Sequence, residues 1–220
     1  MRIKAVFFDF DGTILDTNDI KLDTFYEVVK DIDNGKKYLN DLLNMPDTGD
    51  RFDIFKKLAK IIDFNNSSII ERDLISKYTL ITNQKISIAR EVEGVSCFIK
   101  SLFHAGILVF ISSATPELYL KNLVNIRNFS KYICDVYGSP KEKEDHIRFI
   151  MKRKRILPKE ILYIGDSQVD FDAAMTVGCE FIGVILKNSR FKNKPKFTIN
   201  NFYQIDTIFE DINLTKEDDK

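Results

Sequence analysis

Residues 3–13 read IKAVFFDFDGT, a run broken only by Lys4 that ends on two aspartates, Asp9 and Asp11. A continuous apolar run of this length is the pattern of a strand buried on both faces, as in a parallel sheet. Two like charges one residue apart are a poor ending for such a strand unless an opposite charge meets them there. The rest of the chain must therefore supply both a sheet around the run and partners for the aspartates.

Downstream of residue 93 the pattern alternates between helix and strand. Helices are expected over Val95–Phe103, from Pro116, from about Glu144 and over Phe171–Val177. Strands are expected over Ile107–Ile111, Val136–Tyr137, Ile161–Ile164 and Phe181–Val184. Such alternation implies βαβ units and a parallel sheet. From Asp16 to about Arg90 the character differs, with apolar residues at helical spacing (Leu22, Phe25, Tyr26, Val29, then Phe52, Phe55, Leu58, Ala59, Ile62). The breaks NMPDTGD at 44–50 and DFNNSS at 63–68 divide it into a small helical unit. The expected fold class is α/β, a three-layer Rossmann-like core (1–15 and 91–220) with an inserted helical domain (16–90). TKEDDK at 215–220 is expected to be a solvated tail.

Composition narrows the function. The 220 residues carry 33 basic and 33 acidic side chains, a balance that favours neither nucleic acid nor a membrane surface as partner. No run approaches the ~18 apolar residues of a membrane span, and the short, charged start does not read as a signal peptide, so a cytoplasmic protein is expected. Cys97, Cys134 and Cys179 are scattered and expected as reduced, mostly buried thiols. KRKR at 152–155 reads as a solvated helix face, His104 and His146 as structural or exposed, and the 18 phenylalanines as core.

Ligands of open α/β sheets bind outside the carboxyl ends of the strands. At those ends stand Asp9 and Asp11, then Ser112 and Ser113, then Gly165, Asp166 and Ser167 with Asp170 close behind; Lys141 and Lys143 precede the helix before that last strand. Clustered carboxylates without thiols suit a hard cation, most simply Mg2+, which also holds substrate phosphate. A carboxylate kept ionised beside a cation and a lysine can act as nucleophile, and a second can move protons. Hydroxyl and ammonium groups can hold phosphoryl oxygens. Asp9 and Asp11 are thus most simply the nucleophile and acid/base of a phosphoryl-transfer site. An aspartate after a strand is also a common turn former or helix cap, and Ser113 reads as a cap of the next helix, as do Asp16 and Thr17 for the first inserted one.

DFDGTILDT (9–17), the serine of FISSAT (110–115), the lysine of SPKEKED (139–145) and the pair in IGDSQVD (164–170) resemble the four motifs of the haloacid dehalogenase superfamily, and the insert resembles its type 1 helical cap. The resemblance implies an aspartyl-phosphate on Asp9, acid/base work by Asp11, and phosphoryl-oxygen binding by Ser112 and Lys143, with Ser113 and Lys141 as runners-up. It implies a Mg2+ site of Asp9, the Asp11 backbone carbonyl and Asp166, with Asp170 supporting the ion or the lysine. Gly12, Thr13 and Ser113 are expected beside the phosphoryl group. Dehalogenases of the superfamily lack an aspartate at the position of Asp11, so its presence implies a phosphatase acting on a small phosphorylated metabolite, as monomer or homodimer. A phosphomutase or a non-catalytic phosphate-binding module are the alternatives. GDRFDIFKKL (49–58) resembles caps that accompany surface-sugar biosynthesis, which implies a sugar phosphate and makes Arg51 the candidate selectivity residue. The same stretch also reads as an exposed helix with Lys56 and Lys57 in solvent.

Overall fold

The computed structural model describes residues 2–45, 48–49, 51–187 and 191–214; the tail at 215–220 and part of the break at 44–50 lie outside them. These residues form two compact units, one made of Asp19–Ala89 and one of the chain before and after it. The boundaries differ slightly from 16 and 90 because the two connecting segments pair with each other. Asp16 N donates to the Arg90 carbonyl at 3.0 Å and Val92 N to the Ile14 carbonyl at 2.9 Å, which keeps residues 16–18 with the sheet.

The inserted unit contains α1 (Asn18–Val28), α2 (Gly35–Leu43), α3 (Arg51–Ile62) and α4 (Ser67–Ser87). Its core is a cluster of three rings, Phe25, Phe55 and Tyr78, with centroids 4.6 to 5.4 Å apart. Val28, Leu39, Leu42, Ile54, Leu58 and Leu74 close around them. These residues fall at the three- and four-residue intervals that put them on one face of each helix.

The other unit is built on a six-stranded parallel sheet in the order β3-β2-β1-β4-β5-β6. Its strands are β1 (Ala5–Phe8), β2 (Leu108–Pro116), β3 (Asp135–Ser139), β4 (Ile161–Gly165), β5 (Glu180–Val184) and β6 (Phe197–Ile199). Between and after them run α5 (Val95–His104), α6 (Glu117–Asn125), α7 (Lys143–Lys154), α8 (Gln168–Val177) and α9 (Ile205–Leu214). β1 is central, and the doublet Phe7-Phe8 serves both faces of the sheet, as the two-residue period of a strand requires. On one face, Tyr137, Phe110, Phe7, Tyr163 and Phe181 form a row of rings, one from each of five adjacent strands, with successive centroids 5.0 to 6.4 Å apart. Ile147 and Ile150 of α7 and Ala174 and Val177 of α8 pack on that row. On the other face Phe8 meets Phe98 of α5 and Phe202, at 6.2 and 6.0 Å.

Several expectations need correction. β2 does not stop at Ile111: Ser112 and Ser113 are strand residues, and α6 starts only at Glu117, so Ser113 caps no helix. β6 and α9 carry too weak a pattern to have been expected, the strand being only three residues long. Cys97 and Cys134 are exposed, and only Cys179 is buried. Lys57 is not free in solvent, since its ammonium donates to the Thr48 carbonyl at 3.0 Å. Among the described residues no helix is long and apolar enough to cross a membrane.

Phe7 is fully enclosed in the middle of the ring row. Phe7→Ala should therefore lower the unfolding free energy by about 3–5 kcal/mol in denaturant titrations. Phe64, 76% exposed, is the control, and Phe64→Ala should change it by less than about 0.5 kcal/mol.

Candidate active site

The carboxyl ends of β1 and β4 lie side by side, since Phe8 pairs with Ile164 and the Asp9 N–H donates to the Ile164 carbonyl at 2.9 Å. Asp9 follows β1, and Asp166 follows β4. Asp170 lies in the first turn of α8 and is completely buried. Gly165 makes this possible: a Cβ there would sit 2.4 Å from the Asp170 carboxyl carbon. Asp170 and Ser167 cap α8 reciprocally. Ser167 Oγ donates to Asp170 Oδ2 at 2.5 Å, and Ser167 N does so at 3.1 Å.

Into this acidic corner reaches Lys143, the first residue of α7. Its ammonium donates to Asp9 Oδ1 at 2.7 Å and to Asp170 Oδ1 at 2.5 Å. Both oxygens of Asp170 are thus engaged by the lysine and the serine, so this carboxylate serves to hold Lys143. Lys141, the other candidate, is exposed, with its ammonium 5.9 Å from the centroid of the Phe149 ring.

One oxygen each of Asp9, Asp166 and Asp170 lies within 4.8 Å of the others. Three carboxylates face one ammonium here. Burial, reinforced by Asp170 and Asp166 and opposed by Lys143, pushes the Asp9 carboxyl up to about 8. Lys143 is driven the other way from a normal buried amine: burial disfavours its charge, but Asp170 and Asp9 hold it well above its ordinary range. The corner therefore has a surplus of negative charge, which a proton on Asp9 or a cation would offset. Its ligand atoms are all oxygens, which fits a hard ion such as Mg2+, with Asp9 and Asp166 as the carboxylates that could hold it.

Asp11 stands apart from that cluster. Thr115 Oγ1 donates to its Oδ2 at 2.9 Å, and Thr17 Oγ1 donates to its Oδ1 at 3.3 Å. Thr17, the residue directly before α1, thus gives its hydroxyl proton to Asp11. Gly12, directly after Asp11, has φ +84, and a Cβ on it would sit 2.1 Å from Asp166 Oδ2. Only glycine lets the loop pass this close to Asp166. Asn18 completes the contact, donating to Asp166 Oδ2 at 3.0 Å.

The remaining expected residues fall differently. Gly12 spends its N–H on the Leu15 carbonyl at 2.7 Å. Thr13 is fully buried, and its hydroxyl has no partner among the described residues. Ser112 is fully buried, with its hydroxyl 2.9 Å from His146 Nδ1. Ser113 Oγ accepts the Thr115 N–H at 3.2 Å and keeps its own proton for another acceptor. Arg51 belongs to the inserted unit, at the start of α3, with its guanidinium 4.7 Å over the Phe52 ring. The carboxylate partners of Thr17, Asn18, Thr115 and Ser167 could not be read from the sequence, because a lone hydroxyl or amide carries no signal until its partner is known.

Comparison with known proteins places the chain in a family. A family model described as haloacid dehalogenase-like hydrolase matches residues 6–184. The phosphoglycolate phosphatase of Vibrio vulnificus strain YJ016 is 25% identical over 195 residues, which cover 83% of this chain and 84% of that protein. Solved structures share the fold, among them the following two. A haloacid dehalogenase-like family hydrolase from Streptococcus pneumoniae superposes with a TM-score of 0.70 at 17% identity, over 94% of this chain and 99% of its own. The Bacillus subtilis protein YfnB, solved bound to magnesium, does so with a TM-score of 0.68 at 15% identity, over 94% and 99%. The family match spans most of the chain, from β1 through β5, and takes in every carboxylate of the corner and the lysine between them; the chain belongs to the haloacid dehalogenase-like hydrolases.

Proposed function

We propose that the protein is a Mg2+-dependent phosphatase that hydrolyses a small phosphate monoester through a phosphorylated Asp9. The observation that carries this reading is the buried Lys143 ammonium shared by Asp9 and Asp170, with the Asp166 carboxylate beside them. The family match supports hydrolysis, and the phosphatase among the relatives supports a phosphate ester as substrate. The magnesium in a protein of the same fold supports the choice of ion.

Asp9 and Asp166 would hold the ion, which would keep Asp9 ionised at neutral pH and help neutralise the phosphoryl oxygens. The chain's own groups then supply the steps. An Asp9 carboxylate oxygen attacks phosphorus, and the bond from phosphorus to the ester oxygen breaks. Asp11 gives its proton to the leaving alkoxide. In the second half, Asp11 takes a proton from water as that water attacks phosphorus, releasing inorganic phosphate and restoring the Asp9 carboxylate. Lys143 holds a phosphoryl oxygen by charge. For the hydroxyl partner of that group, the free proton of Ser113 fits better than Ser112, whose hydroxyl meets His146. The two threonine hydroxyls on Asp11 orient it for its double role. For the remainder of the substrate we propose Arg51, whose planar fork of donors suits an anionic or polar group.

Asp9→Asn should abolish turnover of phosphate monoesters while leaving the far-UV circular dichroism spectrum near wild type. Substantial turnover in that variant, or full wild-type activity in excess chelator, would overturn the mechanism.

The raised carboxyl of Asp9 links stability to pH and to the ion. Its folded value of about 8 lies above its ordinary 3.8, so the stability that the protonated form contributes is present at low pH and is lost as pH rises across that interval. A bound cation relieves the same repulsion and competes with the proton. The rise in unfolding temperature on adding Mg2+ should thus be larger at pH 8 than at pH 5.5, and Asp166→Ala should remove most of it. Equal shifts in wild type and variant would count against Asp166 as a ligand.

Arg51→Ala should raise KM for the preferred ester and leave a small generic ester such as p-nitrophenyl phosphate unaffected. Equal losses on both would point to a damaged inserted unit instead.

A further inference from the structure

Ser112 and His146 make a buried hydrogen bond that phosphoryl chemistry does not itself call for. Ser112 is fully enclosed and His146 is 2% exposed, with Oγ and Nδ1 2.9 Å apart. His146 lies three residues after Lys143 on α7, so the two side chains leave the same face of the helix. Ser112 is held from a second side as well, because its carbonyl accepts the buried Tyr163 hydroxyl of β4 at 3.0 Å. It is also the last residue of β2 in regular register with β3; the pairing shifts between Ser112 and Pro116. The irregular stretch that follows contains Ser113 and Thr115, and Thr115 donates to Asp11.

Packing alone does not explain the histidine. The ring is stacked on Tyr137 at 5.4 Å, a place that a leucine or phenylalanine would fill without polar atoms. Its Nε2 has no hydrogen bond of ordinary geometry among the described residues, and a buried polar atom left in that state is destabilising. Burial holds the imidazole below its ordinary range, while the Gly138 carbonyl, Glu117 and Asp145 oppose that shift and Lys141 adds to it. The ring is therefore neutral at pH 7, and a neutral ring has one nitrogen able to accept a hydroxyl proton.

We propose that His146 is a positioning residue: its bond to Ser112 pins α7 on β2, and so fixes Lys143 relative to the Ser113–Thr115 stretch. Lys143 and that stretch come from different elements and must hold one phosphoryl group together. The His146–Ser112 bond is a direct polar tie between the two elements, one helical turn from Lys143. The inference rests on the phosphatase reading above.

The test uses the full chain with Mg2+ and two probes, p-nitrophenyl phosphate for turnover and orthovanadate for anion binding by thermal shift. His146→Leu removes the bond, and His146→Asn keeps a polar group near the Nδ1 position. His146→Leu should lower kcat about tenfold or more, with KM changed less than twofold, since small displacements of catalytic groups are costly. It should also shrink the vanadate shift, while the Mg2+ shift, which depends on Asp9 and Asp166, stays as in wild type. His146→Asn should recover most of both losses. If His146→Leu fails to fold, His146→Asn and Ser112→Ala carry the test, the first expected near wild-type kcat and the second expected to lose it. Wild-type kcat in His146→Leu or in Ser112→Ala would overturn the proposal, as would equal defects in His146→Asn and His146→Leu. A wild-type protein that binds vanadate with Mg2+ but turns over no ester would refute the hydrolase reading while the vanadate arm still decides the role of His146. A wild type that does neither would refute both.

Discussion

One buried ammonium organises the acidic corner. Lys143 sits between Asp9 and Asp170, and all three are withdrawn from water. A lone buried charge is strongly disfavoured, so each of these groups can be where it is only because the others are there. That mutual dependence links three elements far apart in sequence: the end of β1, the start of α7 and the first turn of α8. It also sets a limit on the charge. Three carboxylates against one ammonium leave the corner short of positive charge, and burial together with the neighbouring Asp170 and Asp166 raises the Asp9 carboxyl despite Lys143.

The aromatic row of the sheet supplies the rigid base for this arrangement. Five rings from five adjacent strands lie under α7 and α8, and those two helices deliver Lys143 and Asp170. A well-packed interior leaves little room for helices to slide. The His146–Ser112 contact adds a directional bond to that packing, which itself has no directionality. Close-fitting glycines extend the same logic to the backbone, with Gly12 and Gly165 admitting Asp166 and Asp170 at distances that any side chain would forbid.

The motifs and the alternation of strand and helix were legible because both are local. Asp9, Asp166 and Asp170 follow or cap elements whose apolar patterns are plain, and Lys143 starts a helix. β2 was read too short because Ser112 and Ser113 are polar by type, yet the fold buries them on a strand. The cysteines were misjudged for the opposite reason. Burial by type is only an average, and helix α5 turns Cys97 outward. β6 escaped because a three-residue strand cannot show a period.

Sequence by itself determined the parallel α/β core, the inserted helical unit and the identity of the acidic corner, since apolar period and motif order are properties of the chain. Only the tertiary structure decided what each polar group faces. It placed Asp170 on Lys143, the two threonines on Asp11, and Asn18 on Asp166, and it gave Ser112 to His146. The physical reason is range. Strand and helix periods are set by neighbours within a few residues, whereas a side-chain hydrogen bond needs two atoms within about 3 Å, a condition that only the packed fold can impose on residues a hundred positions apart.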